Sequence, residues 1–266
     1  MVHVAGVDIG AAFSKVVVFD GSKVISYYIA PSSGSYKDTA EKVVTEALAK
    51  AGLLAGDIAF TMATGYGAAN VAARDGVASN ISCQGRGVGY LFPSVRTVVD
   101  VGGQLTKVLK LDDEGRVRAF LQSERCAAGS GKVLQVIARV LQVDMEEIGA
   151  LSLKSRKRID FNTGCAVFAE TEAVSRVAEG AAKEDILAGL HRALAAKIQT
   201  LVERVRLEPD CALVGGGARD IGLVKSIEEV MGLKLLVPEE PRIVAALGAA
   251  LIAEEKVTST MKINIG

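Results

Sequence analysis

Apolar and polar positions alternate at the start of the chain, switch to helical spacing, and then begin again. "VHVAGVDIG" is an apolar run ending in a glycine turn, "SKVVVFDG" alternates as its hairpin partner, and "SKVISYYIA" makes a third strand. In "YKDTAEKVVTEALAKAG" the residues Val43, Val44, Ala47, Leu48 and Ala51 recur at helical spacing, and Gly52 stops the run. "DIAFTMATGYG" is another strand closing on glycines. The second cycle opens with "VRTVVDVGGQLTKVLKLDDEGRVRAFLQ", which reads strand, turn, strand, turn, strand. Helices are predicted over "GKVLQVIARVLQ", with apolar residues at 133, 134, 137, 140 and 141, then over "VFAETEAVSRVAEG" and "DILAGLHRALAAKIQTLVERV". "CALVGGGARD" is a short buried strand breaking into three glycines that open a helix, and "LKLLVPEEP" is a last strand. "PRIVAALGAALIAEE" is a final helix with Pro241 near its start, where a missing N–H costs little. The tail from Val257 is expected to fray, and "ISCQGRG" at 81–87 reads as a loop.

The restart is an internal repeat. "GVDIGAAFSKVVVFDGSKVI" and "VVDVGGQLTKVLKLDDEGRV" align Asp8 with Asp100, Gly10 with Gly102, Ser14 with Thr106, Lys15 with Lys107 and Val16 with Val108, at a constant offset of 92. Two similar α/β domains are expected, residues 1–93 and 94–266, with the last helix packing back on the first domain.

The length, 266 residues, accommodates both, and a composition half hydrophobic with 28 glycines fits a large core with many tight turns. Lysine plus arginine equals aspartate plus glutamate, 31 each, so charge supplies no attraction to nucleic acid or an anionic membrane. Aromatic residues are 5% and tryptophan is absent, which argues against a base-stacking surface. No apolar run approaches the ~20 residues of a transmembrane helix, and "MVHVAGVDIG" lacks the pattern of a signal peptide. A cytoplasmic protein is expected, with no nucleic acid and no membrane among its partners.

An Asp-x-Gly turn at a strand end lets the backbone approach an anion and points consecutive N–H groups at phosphate oxygens. Gly10, Ala11 and Ala12 in the first turn and Gly102 and Gly103 in the second are the expected phosphate contacts. Asp8 and Asp100 would hold a hydrated magnesium ion. Lys15 and Lys107 have two readings: beside the phosphate charge, or ordinary strand residues. "VGGGARD" at 214–220 adds Gly215, Gly216 and Gly217, which would leave room for a nucleoside beside a helix N-terminus. In the order hairpin, hairpin, glycine turn, these pieces resemble the actin, Hsp70 and sugar-kinase ATPase superfamily across nearly the whole chain. The resemblance implies two ribonuclease-H-like domains around ATP or ADP with magnesium, and Asp8, Asp100 and Gln104 are the expected catalytic residues.

"ERCAAGSGKV" at 124–133 imitates a second phosphate loop. Counting back from Gly131-Lys132, however, Cys126 stands where a P-loop has its first glycine, and Val133 replaces the hydroxyl residue. The cysteine carries more information. Cys126 precedes one helical run and Cys165, in "FNTGCAVFAETEAVSRV", precedes another. A helix N-terminus favours thiolate over thiol, and thiolates bind iron–sulfur clusters, typically four to a cluster. Two per chain would complete the set across a two-fold axis.

At this point "CAAGSG" at 126–131, "CAVFAETE" at 165–172, "ATGYG" at 63–67, "VDVGGQ" at 99–104 and "LGAAL" at 247–251 resemble a specific family. It comprises the ATP-dependent activators of 2-hydroxyacyl-CoA dehydratases and the related benzoyl-CoA reductase ATPase subunits. The resemblance implies a homodimer with one 4Fe–4S cluster held by Cys126 and Cys165 of both subunits. It implies an electron from ferredoxin or flavodoxin, delivered at low potential to an iron–sulfur dehydratase or reductase, with ATP turning the cluster-bearing helices. This chain departs from the family in having Ala11 and Ala12 where Ser-Thr is common, and Gln84 where a histidine is common. Cys83 and Cys211 read as core or loop residues, and His191 as a helix residue. The basic stretch "LKSRKRID" at 153–160 is either a solvated loop or a docking site for an acidic partner. A small-molecule, sugar-type kinase is the alternative function, with Glu170 or Glu172 available as base. An ATP-switched regulator without redox chemistry is a third class.

Overall fold

A computed structural model describes residues 2–123, 131–161 and 166–263. The chain forms two compact units: Met1–Val95, Leu111–Arg118 and Arg242–Gly266 in the first, Arg96–Lys110 and Ala119–Pro241 in the second. The boundary at 93/94 would assign 111–118 and 242–266 to the second domain. Residues 111–118 fall in the first unit instead, and so does Arg242–Gly266, which carries the last helix.

The first unit is built on β1 (His3–Ile9), β2 (Phe13–Phe19), β3 (Val24–Pro31), α1 (Tyr36–Ala51), β4 (Ile58–Thr64), β5 (Gly76–Val77) and α2 (Asn80–Leu91). Its sheet order is β3-β2-β1-β4-β5, with β1 antiparallel to β2 and parallel to β4. A central strand with a helix on each face has no polar side, which is why β1 reads as an unbroken apolar run. Val7, Ile9, Val16 and Val18 face α1, whereas Val4 and Val17 face the opposite layer. Ser35 caps α1 by accepting from Asp38 N at 3.3 Å, and Gly52 ends it in the left-handed region at φ 68°.

The second unit continues with β6 (Thr97–Val101), β7 (Thr106–Leu111), β8 (Val117–Gln122), α3 (Lys132–Leu141), α4 (Ile148–Ser152), α5 (Ala166–Ala178), α6 (Lys183–Val205), β9 (Cys211–Val214), α7 (Ile221–Met231) and β10 (Leu235–Leu236). Its sheet order, β10-β9-β6-β7-β8, is that of the first read from the other end. Asp8 pairs with Thr64 on its parallel neighbour, and Asp100 pairs with Val214. The offset between units is therefore 92 in the hairpins but 150 in the crossing strands. The second unit carries 58 additional residues between these two points, and both Cys126 and Cys165 fall within that span.

The last helix, α8 (Val244–Ile263), fills the remaining face of the first sheet with Ala245, Ala246, Ala249, Ala250 and Ala253. Its small side chains bring it close enough that a Cβ on Gly6 of β1 would stand 2.0 Å from the Ala246 carbonyl oxygen. A Cβ on Gly248 would stand 1.7 Å from the Cys83 carbonyl oxygen of α2.

Several expectations are corrected. Residues 81–87 form part of helix α2, not a loop: Ser79 caps it, and α8 stabilises glycines that each cost a helix about 1 kcal/mol. The tail does not fray at Val257, because the helix runs on to Ile263. Pro241 is not in the first turn of α8, which starts at Val244; its carbonyl accepts from Gly215 N at 2.9 Å. The glycines at 215–217 do not open an α-helix, since a 3-10 turn, Gly216–Arg219, precedes Asp220, the cap of α7. "LKLLVPEEP" shrinks to the two-residue β10, and α4 was absent from the sequence reading because five residues carry little periodicity.

Candidate functional site

In each unit the first hairpin closes on a glycine. Gly10 N donates to Phe13 O at 3.2 Å, and Gly102 N donates to Leu105 O at 3.1 Å. Ala11, Ala12 and Gly103 lie in these turns, and Gln104 is exposed at the apex of the second. Two residues before each glycine, a buried aspartate ends the strand: Asp8 and Asp100 are each 4% exposed. Antiparallel register sets Lys15 opposite Asp8 and Lys107 opposite Asp100. The ammonium groups reach the Oδ2 atoms at 3.0 Å and 3.1 Å. Burying a carboxylate requires such a partner, so both lysines act first as counter-charges to the aspartates. Asp8 Oδ1 is buried with no hydrogen-bond partner.

The glycine turn after the parallel neighbour completes each arrangement. Gly65 and Gly215 take φ of +87° and +84°, where side chains are strained, and a Cβ on either would stand 2.3 Å from Asp8 Oδ1 or Asp100 Oδ1 respectively. Gly217 packs on Val101 and is buried; Gly216 is exposed and a Cβ there would meet nothing within 4 Å. In the first unit, a buried, unpartnered carboxylate oxygen of Asp8 beside a glycine-lined turn suits a hydrated cation; in the second, glycine turns with open space at Gly216 suit a phosphate or nucleoside group. Gly65 and Gly67 were missed in the sequence. Their signal is the match of "TGYGA" at 64–68 to "VGGGA" at 214–218, hidden by the change of offset.

Cys126 and Cys165 lie outside the described residues, and among the described residues no group of three or more His, Cys, Asp or Glu could hold a metal ion. The other two cysteines do not qualify as thiolate ligands. Burial pushes the Cys83 thiol up to about 11 and the Cys211 thiol up to about 12. Both side chains are therefore neutral core groups. Iodoacetamide at pH 8 should leave Cys83 and Cys211 unmodified in the native chain, read by peptide mass spectrometry. The unfolded thiol loses its proton near its ordinary value of 9.0, earlier than the folded one. Their stabilisation is thus complete below pH 9 and falls as pH rises through 11 to 12. Alkaline unfolding setting in above pH 9 is the expected outcome.

Two helices follow the expected ligand positions. α3 begins six residues after Cys126 and α5 directly after Cys165, and they pack together in one core through Val133, Leu134 and Ile137 with Ala169 and Ala173. The residue before α3 is tied to the second hairpin turn: Gly131 N donates to Gly102 O at 2.9 Å. The basic stretch at 153–160 is fixed rather than loose. Buried Asp185 of α6 accepts from Ser155 Oγ at 2.9 Å, Arg156 N at 2.7 Å and Lys157 N at 2.9 Å. The Lys157 and Arg156 amides hold its carboxyl below the usual carboxylate value. No helix among the described residues is long and apolar enough to cross a membrane.

The model of the BadF/BadG/BcrA/BcrD ATPase family matches residues 5–253. The 2-hydroxyisocaproyl-CoA dehydratase activator of Clostridioides difficile is 37% identical over 260 residues, covering 98% of each chain. A solved structure of the activator of the 2-hydroxyisocaproyl-CoA dehydratase from Clostridium difficile, with bound ADPNP, superposes with a TM-score of 0.94 at 37% identity, covering 98% of this chain and 97% of that one. A ROK family glucokinase from Streptomyces griseus, 14% identical with a TM-score of 0.59 over 95% of this chain and 99% of its own, shares the fold alone. The fold is that of the actin, Hsp70 and sugar-kinase ATPases.

Proposed function

Because the chain belongs to the BadF/BadG/BcrA/BcrD ATPase family, we propose that it is an ATP-dependent activator that drives single electrons, at low potential, into a partner iron–sulfur dehydratase or reductase. It works as a homodimer and takes its electrons from ferredoxin or flavodoxin. A 4Fe–4S cluster held by Cys126 and Cys165 of both subunits would supply the redox chemistry. Asp8 and Asp100 hold hydrated magnesium against the phosphates, the turns at 10–12 and 102–103 bind phosphate oxygens through their N–H groups, and Gln104 orients the attacking water. Gly215, Gly216 and Gly217 receive the nucleoside.

The observation that carries this reading is the Gly131–Gly102 hydrogen bond. A turn that senses the terminal phosphate is bonded to the residue leading from Cys126 into α3. ATP can do work on the cysteine segment only by binding one arrangement better than another, and this bond gives it a direct contact through which to do so. The sugar-kinase reading finds less support, since Glu172, a candidate base, is engaged by Arg176 Nη2 at 3.5 Å.

Anaerobic purification with iron and sulfide supplied should yield a brown dimer with about four irons. Cys126→Ser or Cys165→Ser should lose the colour while ADP binding, measured by calorimetry, survives. A colourless monomer from the unmodified chain would sink the proposal.

A further inference from the structure

The imidazole of His191 is wholly buried, on α6, at 0% exposure, and the phosphate chemistry makes no use of it. Its Nε2 stands 2.8 Å from Asp220 Oδ2. Asp220 is anchored through its other polar atoms: its N donates to Gly217 O at 3.2 Å, and its Oδ1 accepts from Gly222 N at 2.9 Å and Leu223 N at 3.1 Å. It is therefore both the cap of α7 and the residue on which the 3-10 turn Gly216–Arg219 ends. The first turn of α7 has no freedom to slide. A Cβ on Gly222 would stand 2.0 Å from Ser152 Oγ and 2.7 Å from His191 Nδ1. The approach of Nε2 to the carboxylate is a close polar contact rather than a well-formed hydrogen bond: neither ring nitrogen of His191 nor Asp220 Oδ2 has a hydrogen-bond partner. A buried histidine whose nitrogens make no hydrogen bond costs free energy that an apolar side chain would not, so packing alone is a poor reason for it, and its approach to the Asp220 carboxylate is the feature to explain.

We propose that His191 is a positioning residue of the nucleotide site: through Asp220 it holds the Gly215–Gly217 turn in the shape that accepts the nucleoside, and so sets nucleotide affinity without touching the phosphates. α6, a helix of 23 residues, is the rigid body to which the turn is pinned. The proposal rests on the reading that this turn receives the nucleoside.

The test uses the full chain without added iron. ADP and tripolyphosphate, which has the phosphates but no nucleoside, are titrated calorimetrically, and ATPase kinetics are measured alongside. His191→Phe keeps a buried ring and removes the polar contact to Asp220, and should weaken ADP roughly tenfold, the scale of leaving a buried carboxylate without its facing polar group, and raise KM in step. Tripolyphosphate affinity and kcat at saturating ATP should stay within twofold. His191→Gln, whose amide can donate to Asp220, should recover most of the loss. Asp220→Asn keeps the helix cap and breaks the pair from its other end, so it should repeat the His191→Phe result even if that variant fails to fold. Equal losses for ADP and tripolyphosphate, or unchanged ADP affinity in both variants, would overturn the proposal. Gly216→Val separates the premise from the inference: if it leaves ADP binding intact, the nucleoside-turn reading itself falls. If it weakens ADP while His191→Phe and Asp220→Asn do not, only the positioning role falls.

Discussion

Gly248→Val should destabilise the protein by about 3 kcal/mol or more, beyond the usual cost of an overpacked core. The reason lies in what a side chain at 248 would meet: the Cys83 carbonyl oxygen at 1.7 Å, its carbon at 2.6 Å and Gly87 N at 2.8 Å. All three are backbone atoms of α2, so no rotamer change relieves the clash, and one of the two helices must back away. Retreat of α8 strips cover from Val4, Val17, Phe19 and Met62 on the first sheet. A domain stable by roughly 5–15 kcal/mol tolerates such a loss poorly. Urea unfolding followed by circular dichroism measures it. Gly56→Ala, where a Cβ meets nothing within 4 Å, is the control and should unfold like the parent. An unchanged midpoint for Gly248→Val would mean that α8 and α2 do not lie as close as described.

Asp100→Asn should lower kcat for ATP hydrolysis by about two orders of magnitude, the scale on which a single preorganised electrostatic group acts in a phosphoryl-transfer site. The substitution preserves shape and removes the charge proposed to hold magnesium. It also leaves the Lys107 ammonium, 18% exposed, facing an amide at a distance set for a carboxylate 3.1 Å away. A stability loss of about 1–3 kcal/mol should accompany the kinetic one. The two effects separate in experiment: steady-state hydrolysis at saturating magnesium–ATP reads the first, thermal unfolding without nucleotide the second. Hydrolysis within threefold of the parent would remove Asp100 from the metal site and leave it a structural ion pair.

The hairpins were legible because period-two alternation and the Asp-x-Gly pattern repeat at one offset, and because a buried aspartate at a strand end stands out against apolar neighbours. Asp8, Asp100, Lys15 and Lys107 stood out in that alignment, but the pairing of each lysine with its aspartate did not. α2 was not legible: Gly85, Gly87 and Gly89 argue locally against a helix, and only contact with α8 reverses the balance. Gly65 and Gly67 escaped because the second unit is longer by 58 residues before the equivalent turn, so a fixed-offset comparison passes over them. His191 escaped because its partner lies 29 positions away on another helix and no spacing rule connects them.

The bond from Gly131 N to Gly102 O left no trace in the sequence either, since both of its atoms are main chain. That has an evolutionary consequence. Side-chain substitution cannot delete the link, and the space near Gly131 is lenient, a Cβ there meeting Gly102 O at 3.4 Å. Only proline, lacking the N–H, would remove the donor. Descendants of this chain can thus exchange nearly every side chain around the turn, retune affinity and change partners, yet keep the same joint between it and the cysteine-bearing segment. The bond is heritable as backbone shape rather than as a motif.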